Sequence, residues 1–268
     1  MIKLKDVVPI GEGGTFMRHA IVTAGTKGLG LKVTEQLLEE GYTVTISYRS
    51  DVNAVEKLKK RWEAKADQLH FVKADVTNKA DLDELIQSSI NKFRKIDVFI
   101  HNAGPYIFER KKLVDYSDGE WYEMVEGNLS SFFHIAKGII PHMRKQKFGR
   151  IVAYGFQGAN DAPGWIYRSA YAAAKVGLVS LMKTLAIEEA EHGITVNMVC
   201  PGNILGEMKE ATIEQARQFY DEKTPVGRSG TGEDIARAIS FLCQENSDMI
   251  TGTVLEITGG LDVINSHR

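Results

Sequence analysis

Among 268 residues there are only two cysteines. Cys200 and Cys243 each sit in an apolar run, Val199-Cys200 and Leu242-Cys243, and so read as reduced, buried thiols. Neither a disulfide framework nor a metal set can be built from them, and no metal is expected. No uninterrupted apolar stretch reaches about 18 residues, the length that marks a bilayer-spanning helix. The opening MIKLKDVVPIGEGGTF lacks the long apolar core of a signal peptide. Excess charge of one sign is also missing: the net charge is −2, which gives no electrostatic support for nucleic-acid binding. Internal repeats and Pro/Gly/Ser tracts of the linker kind are absent too. A cytoplasmic protein with no membrane or nucleic-acid partner is expected.

What is present is alternation. Apolar, β-branched runs recur at 20–25 (AIVTAG), 43–48, 69–75, 97–104, 150–155, 195–202 and 254–260. Longer charged segments with helical spacing separate them, such as Leu82, Leu85, Ile86, Ser89, Ile90 and Phe93 within 79–94. Strands buried on both faces and separated by helices imply an α/β fold, a doubly wound seven-stranded parallel sheet with helices on both faces. The seven runs fill nearly the whole chain, and 43% hydrophobic content supports a large core, so one domain is expected over 19–268. Residues 1–18 precede it as an extension. Residues 203–225 fall where such a sheet carries a substrate lid, and ILGEMKEATIEQARQFYDEK is amphipathic enough to be helical. A lid and a surface helix are equally compatible with it.

The segment IVTAGTKGLGLKVTEQLLEEG runs strand, glycine-rich turn, helix. Glycines there let the turn bend tightly and the backbone approach a pyrophosphate, while the helix start offers free N–H groups and a positive dipole end. A ligand-free tight turn would use the same glycines, but this one opens the first βαβ unit of an alternating chain. After the second strand come Arg49 and Ser50, and Lys27 lies within the glycine turn. Two cations converging on one place suit a 2′-phosphate and point to NADP(H). Asp51 keeps NAD(H) as the alternative, should its carboxylate turn toward the ribose.

Gly25, Gly28 and Gly30 in TAGTKGLG resemble the glycine turn of the short-chain dehydrogenase/reductase family, with Ala24 where that pattern has its first glycine and Gly25 expected to absorb the turn. The resemblance extends through FVKADVTN, HNAG, VEGNLSSFF, YAAAK, VNMVCPGNI and ITGTVLEITGG, over roughly residues 19–262. It is closest to the 3-oxoacyl-[acyl-carrier-protein] reductases. It implies a Rossmann fold and a cofactor site made of Gly25, Thr26, Lys27, Gly28, Leu29, Gly30, Arg49, Ser50, Asp75, Val76, Asn102, Ala103, Gly104, Pro201 and Gly202. It also implies a catalytic trio of Tyr171, Lys175 and Asn128. His101 stands where the family has an asparagine.

The chemistry of those residue types agrees. A free phenol, with a pKa near 10, is a poor acid–base at neutral pH, and a cation one helical turn away would favour its phenolate. Lys175 is that cation for Tyr171. By resemblance, Lys175 also binds the nicotinamide ribose and Asn128 holds a water in a proton relay. The family's serine after the fifth strand is missing, and Phe156 stands in its place. Tyr154, Gln157, Asn160 and Ser169 are candidates for the lost hydroxyl, with Gln157 the nearest. Tyr167 is one position off the seven-residue spacing that enoyl-thioester reductases use, so it is expected to line the pocket, and the substrate is expected to be a C=O compound.

Two functions follow. One is an oxidoreductase moving a hydride between NADP(H) and a carbonyl or hydroxyl compound, with a 3-oxoacyl thioester of fatty acid biosynthesis as a candidate. The other is a catalytically weak cofactor-binding sensor or scaffold, which Ala24 and Phe156 would suit. The resemblance further implies a homotetramer built on the helices containing 128–146 and 170–191. Arg144, Lys145 and Lys147 read either as a solvated helix end or as a dock for an acidic acyl-carrier protein.

Overall fold

The computed structural model describes residues 17–264, so the extension expected over 1–18 lies almost wholly outside the described residues. Seven strands form a single sheet: β1 (His19–Val22), β2 (Thr43–Tyr48), β3 (Leu69–Lys73), β4 (Val98–His101), β5 (Gly149–Tyr154), β6 (Ile194–Pro201) and β7 (Val254–Ile257). Their order is β3-β2-β1-β4-β5-β6-β7, and every pairing is parallel. Each apolar run became a strand. Most strands stop short of the run's end because the chain turns as soon as it leaves the sheet, as at Asn102 after β4.

The helices are α1 (Gly28–Glu39), α2 (Val52–Arg61), α3 (Lys79–Phe93), α4 (Asp118–Val125), α5 (Ser131–Gln146), α6 (Ser169–Glu188), α7 (Ile213–Arg217) and α8 (Gly232–Cys243). One apolar layer joins α3, α5 and α6 to the sheet through Leu85, Phe132, Ile135, Leu178 and Met182. The other joins α1 and α8 through Val33, Leu37, Ile235 and Ile239. Covering both faces is what made the strands read as unbroken apolar runs. Helix α6 is long and apolar enough to cross a bilayer on length and composition. Its residues Leu178, Val179 and Met182 instead pack into the first layer, as in the core helix of a globular protein.

Between α4 and α5 the helix does not break. Glu126–Ser130 forms a π-helical turn, so one rod runs from Asp118 to Gln146 with a bulge at its first third. Such bulges commonly mark functional sites because they redirect a side chain without ending the helix.

The segment following β6 does not form the continuous helix that its amphipathic pattern suggested. Only a 3₁₀ turn (Gly206–Lys209) and the five-residue α7 form. Gly206 has φ +52°, and Thr212 restarts the chain as a capping box with Gln215, which splits the amphipathic stretch.

The sheet order reverses between β1 and β4, which both leave the centre at the same end. In open parallel sheets the crevice at that reversal, beyond the strands' carboxyl ends, is where ligands bind.

Candidate active site

The glycine turn lies in that crevice. Helix α1 begins with no side-chain cap and no acidic residue in its first turn, so its leading N–H groups face outward. Gly28 has φ +59°, which a side chain would strain. A Cβ at Gly30 would stand 2.5 Å from both Ala24 O and Asn102 Nδ2, so only glycine lets α1 come this close to the ends of β1 and β4. The turn itself differs from expectation. Ala24, with φ +51°, takes the left-handed conformation and Gly25 does not. Gly25 is needed for space, since its Cβ would lie 2.8 Å from Thr34 Oγ1.

A groove runs from this turn across the tips of β2, β3 and β4. Thr26, Lys27, Arg49, Ser50, Asp75, Val76, Ala103 and Gly104 all line it. Asp75 accepts from Thr77 N at 3.0 Å and Thr77 Oγ1 at 2.8 Å, and those bonds, with Arg49 nearby, hold its carboxyl below the usual range. Asp51 lines the groove as well, and its Oδ1 caps α2, accepting from Ala54 N at 2.9 Å. Asn102 faces inward, donating from Nδ2 to Thr23 O at 2.9 Å and Ala24 O at 3.2 Å, and so braces the glycine turn. Leu29 packs into the α1/α8 layer. Pro201 ends β6, and Gly202 N donates to Ile257 O at 2.8 Å beside β7.

An anion already touches the turn. Glu210, just after the 3₁₀ turn, accepts from Gly28 N at 2.6 Å through Oε1. A carboxylate seated on that N–H shows that the turn's geometry suits a phosphate oxygen. With the glycine cradle, the uncapped helix start and the cations Lys27 and Arg49, the residues fit a dinucleotide carrying a 2′-phosphate.

Beyond the groove, α6 carries Tyr171 and Lys175 on one face. Lys175 is buried and donates from Nζ to Tyr154 O at 2.8 Å. Burial draws its ammonium down from 10.5 to about 8. The same Nζ is 5.7 Å from the Tyr171 ring centroid and makes no hydrogen bond to its hydroxyl. Burial pushes the Tyr171 phenol above its ordinary value, against the favouring of its phenolate expected from Lys175. Desolvation outweighs a cation that is itself bonded elsewhere.

Asn128 lies in the π turn, fully buried. Its Nδ2 donates to Pro105 O at 2.9 Å and Met124 O at 3.1 Å, and its Oδ1 has no partner. A buried acceptor left in that state is costly unless a further donor reaches it. Gly104 faces that oxygen, and a side chain there would collide with it. His101 stacks against the same bulge: Nε2 lies 2.8 Å from Ser131 Oγ, which donates to Gly127 O at 2.8 Å. Burial, reinforced by Lys175, keeps this imidazole neutral.

The place of the missing serine is apolar. Phe156 is buried and stacks on Trp165 at 5.0 Å, with the Tyr171 ring 6.2 Å away. Of the candidate replacements, Gln157 and Asn160 have partners, whereas the Tyr154 and Ser169 hydroxyls are buried without one. Gln157 Oε1 accepts from Val263 N, so this amide holds the C-terminal segment. Asn160 binds Lys183 and Asp161, Tyr154 Oη is sealed in the core, and Ser169 Oγ is buried without a partner. Tyr167 has φ +64°, and its carbonyl accepts from Tyr116 Oη at 3.2 Å and Arg168 Nη1 at 2.9 Å. It lines a small cleft with Tyr106, Trp165 and Arg168.

Three participants escaped the sequence reading: Tyr106, Arg168 and Glu210. Tyr106 stands two residues beyond Gly104, a spacing that could have flagged it. The other two reach the site through contacts across 62 and 182 residues.

A family model described as enoyl-(acyl carrier protein) reductase matches residues 23–262. A Bacillus subtilis (strain 168) protein provisionally named an oxidoreductase, YtkK, is 65% identical over 94% of this chain and 99% of its own length. The Haemophilus influenzae 3-oxoacyl-[acyl-carrier-protein] reductase FabG is 35% identical over 90% of this chain and 97% of its own. A solved Bacillus thuringiensis structure, provisionally a 3-oxoacyl-reductase, superposes with a TM-score of 0.89 at 62% identity, covering 93% of this chain and all of that one. A variant of actinorhodin polyketide ketoreductase solved with NADPH gives 0.79 at 27% identity, over 91% and 97%.

Proposed function

This chain belongs to the short-chain dehydrogenase/reductase family and is an oxidoreductase of it, and from that premise we propose that it interconverts a carbonyl and a hydroxyl compound using NADP(H). The observation that carries the reading is the pairing of Tyr171 with buried Lys175 on one face of α6, together with the unpartnered Oδ1 of Asn128 set against Gly104 of the dinucleotide groove.

NADP(H) supplies or accepts the hydride at the substrate carbon. Gly28, Thr26 and the start of α1 would hold its pyrophosphate, Lys27 and Arg49 its 2′-phosphate, and Asp75 with Val76 its adenine. The chain's own work is on the oxygen. Tyr171 gives its proton to the carbonyl oxygen as negative charge develops there, and takes it back in the reverse direction. The cost of leaving that phenol ionised in a buried site falls on Lys175, whose charge is fixed one turn away. Asn128 Oδ1 accepts from the donor that returns a proton toward Lys175. Its Nδ2 is already tied to Pro105 and Met124, which leaves only the oxygen for that role.

Preference for NADP(H) over NAD(H) rests on the two cations Arg49 and Lys27 in the groove, against a single carboxylate, Asp51, whose Oδ1 also caps α2. A C=O substrate is favoured over C=C because Tyr171, and not Tyr167, stands next to Lys175. A 3-oxoacyl thioester is the substrate class the FabG relative suggests. The remaining parts of the reading are a cytoplasmic homotetramer and an acyl-carrier protein met by Lys145 and Lys147, since Arg144 is held by Glu189. The test is NADPH oxidation against ketones, aldehydes, 3-oxoacyl and enoyl thioesters. Turnover confined to enoyl thioesters would reverse the substrate assignment.

A further inference from the structure

The substrate oxygen needs more than one donor in most carbonyl reductions, because the charge developing on it is poorly served by a single phenol. Phe156 offers none, and the neighbouring polar side chains are engaged or sealed away, as described above. One hydroxyl-bearing ring packs on Tyr171. Tyr106 meets the Tyr171 ring edge-on, with centroids 4.9 Å apart and planes at 84°.

The loop that carries it is held at several points. Pro105 O accepts from Asn128 Nδ2, and the Pro105 ring lies where a side chain at Gly127 would collide with it. Phe108 packs edge-on against Tyr106 at 5.0 Å. Arg168 donates from Nε to Tyr106 Oη at 2.6 Å, from Nη1 to Glu109 O at 2.8 Å and from Nη2 to Phe108 O at 3.2 Å.

Arg168 immediately precedes α6, three residues before Tyr171. Helical side chains lean toward the N-terminus, so the Tyr171 phenol is carried toward Arg168 and Tyr106. After burial, the neighbouring Tyr106 helps hold the Tyr171 phenol above its ordinary value. A guanidinium has donors only and accepts nothing. The bond from Arg168 therefore leaves the Tyr106 O–H proton to point elsewhere, and a charged donor at the oxygen makes that proton a better hydrogen-bond donor.

We propose that Tyr106 supplies the second hydroxyl of this active site, donating to the substrate oxygen beside Tyr171, with Arg168 as the positioning residue that holds it there. Tyr106 keeps its proton throughout; the proton that reaches the product comes from Tyr171. The assignment rests on the carbonyl-reductase reading above. It also accounts for a reductase that carries phenylalanine at the serine position.

The experiment compares wild type, Tyr106→Phe, Arg168→Lys, Arg168→Met and Tyr171→Phe. Each is assayed with NADPH and acetoacetyl-coenzyme A, a 3-oxoacyl thioester, and each is titrated with NADPH by fluorescence. Tyr106→Phe is expected to lose about 10²–10³-fold in kcat, with NADPH affinity and thioester KM within about threefold of wild type. Arg168→Lys, which keeps a cationic donor, should fall between wild type and Arg168→Met. Tyr106→Phe with kcat within about threefold of wild type, while Tyr171→Phe is inactive, overturns the proposal and spares the reading beneath it. Loss of NADPH binding in Tyr106→Phe makes the residue structural and overturns it as well. A wild type that reduces no carbonyl, or a Tyr171→Phe that matches it, defeats the reading itself and the proposal with it.

Discussion

Lys175 Nζ lies 5.7 Å from the Tyr171 ring centroid and donates to Tyr154 O at 2.8 Å, so the cation is tied to the sheet while it faces the phenol. A charge fixed by a strand carbonyl cannot swing away as the phenol ionises. The arrangement has a cost, because the ammonium is desolvated and drawn from 10.5 to about 8.

That cost gives stability a definite pH dependence. The unfolded chain keeps this proton up to about 10.4, whereas the folded chain releases it near 8. Below 8 both states hold the proton and the full penalty of burying the charge is present. Between the two values the unfolded state binds more protons, so stability rises with pH. Wild type should therefore gain about 2 kcal/mol relative to Lys175→Met between pH 7 and 9.5. Urea denaturation of the cofactor-free proteins across that range checks it, and a difference that stays flat would contradict the assignment.

Arg49 should set the cofactor preference. It lines the groove, and Asp51 caps α2. Arg49→Ala is expected to raise the NADPH KM by about 10–100-fold, the worth of a charge-assisted hydrogen bond, and to leave NADH use nearly unchanged. An equal loss with both cofactors would place the 2′-phosphate elsewhere.

Glu210 should compete with the cofactor. Its carboxylate takes Gly28 N–H at 2.6 Å and is exposed, so displacing it costs one charge-assisted bond. Glu210→Gln should tighten NADPH binding by roughly 3–10-fold, measured by fluorescence titration. Weaker binding in that variant would mean that the carboxylate supports the turn and does not occupy it.

A change at Gly30 should act on the fold before it acts on function. A methyl there would press on Ala24 O and Asn102 Nδ2, both main supports of the turn. Gly30→Ala is expected to destabilise by about 1–3 kcal/mol and to abolish tight NADPH binding. Thermal melts with and without cofactor separate the two effects.

Much of this was legible because parallel strands covered on both faces leave an uninterrupted apolar signature. The run 43–48 is β2 residue for residue, and Tyr171 and Lys175 share a face because i and i+4 must. What sequence could not supply was where side chains go once several partners compete. Asp51 lines the groove yet spends Oδ1 on Ala54 N, a cap that only the placed helix shows. Gln157 sat nearest the missing serine, yet the C-terminal segment takes its oxygen at Val263. Ala24 takes the left-handed turn, while Gly25 leaves room for Thr34. Arg168 and Tyr106 meet only once the loop after β4 reaches the start of α6.

The most direct measurement is single-variant turnover: NADPH oxidation by wild type and Tyr171→Phe against a 3-oxoacyl thioester, with NADPH affinity measured for both. The pairing of Tyr171 with Lys175 predicts a loss of about 10²–10⁴-fold in kcat for the variant at unchanged NADPH affinity. A Tyr171→Phe protein that reduces the thioester at the wild-type rate would contradict it.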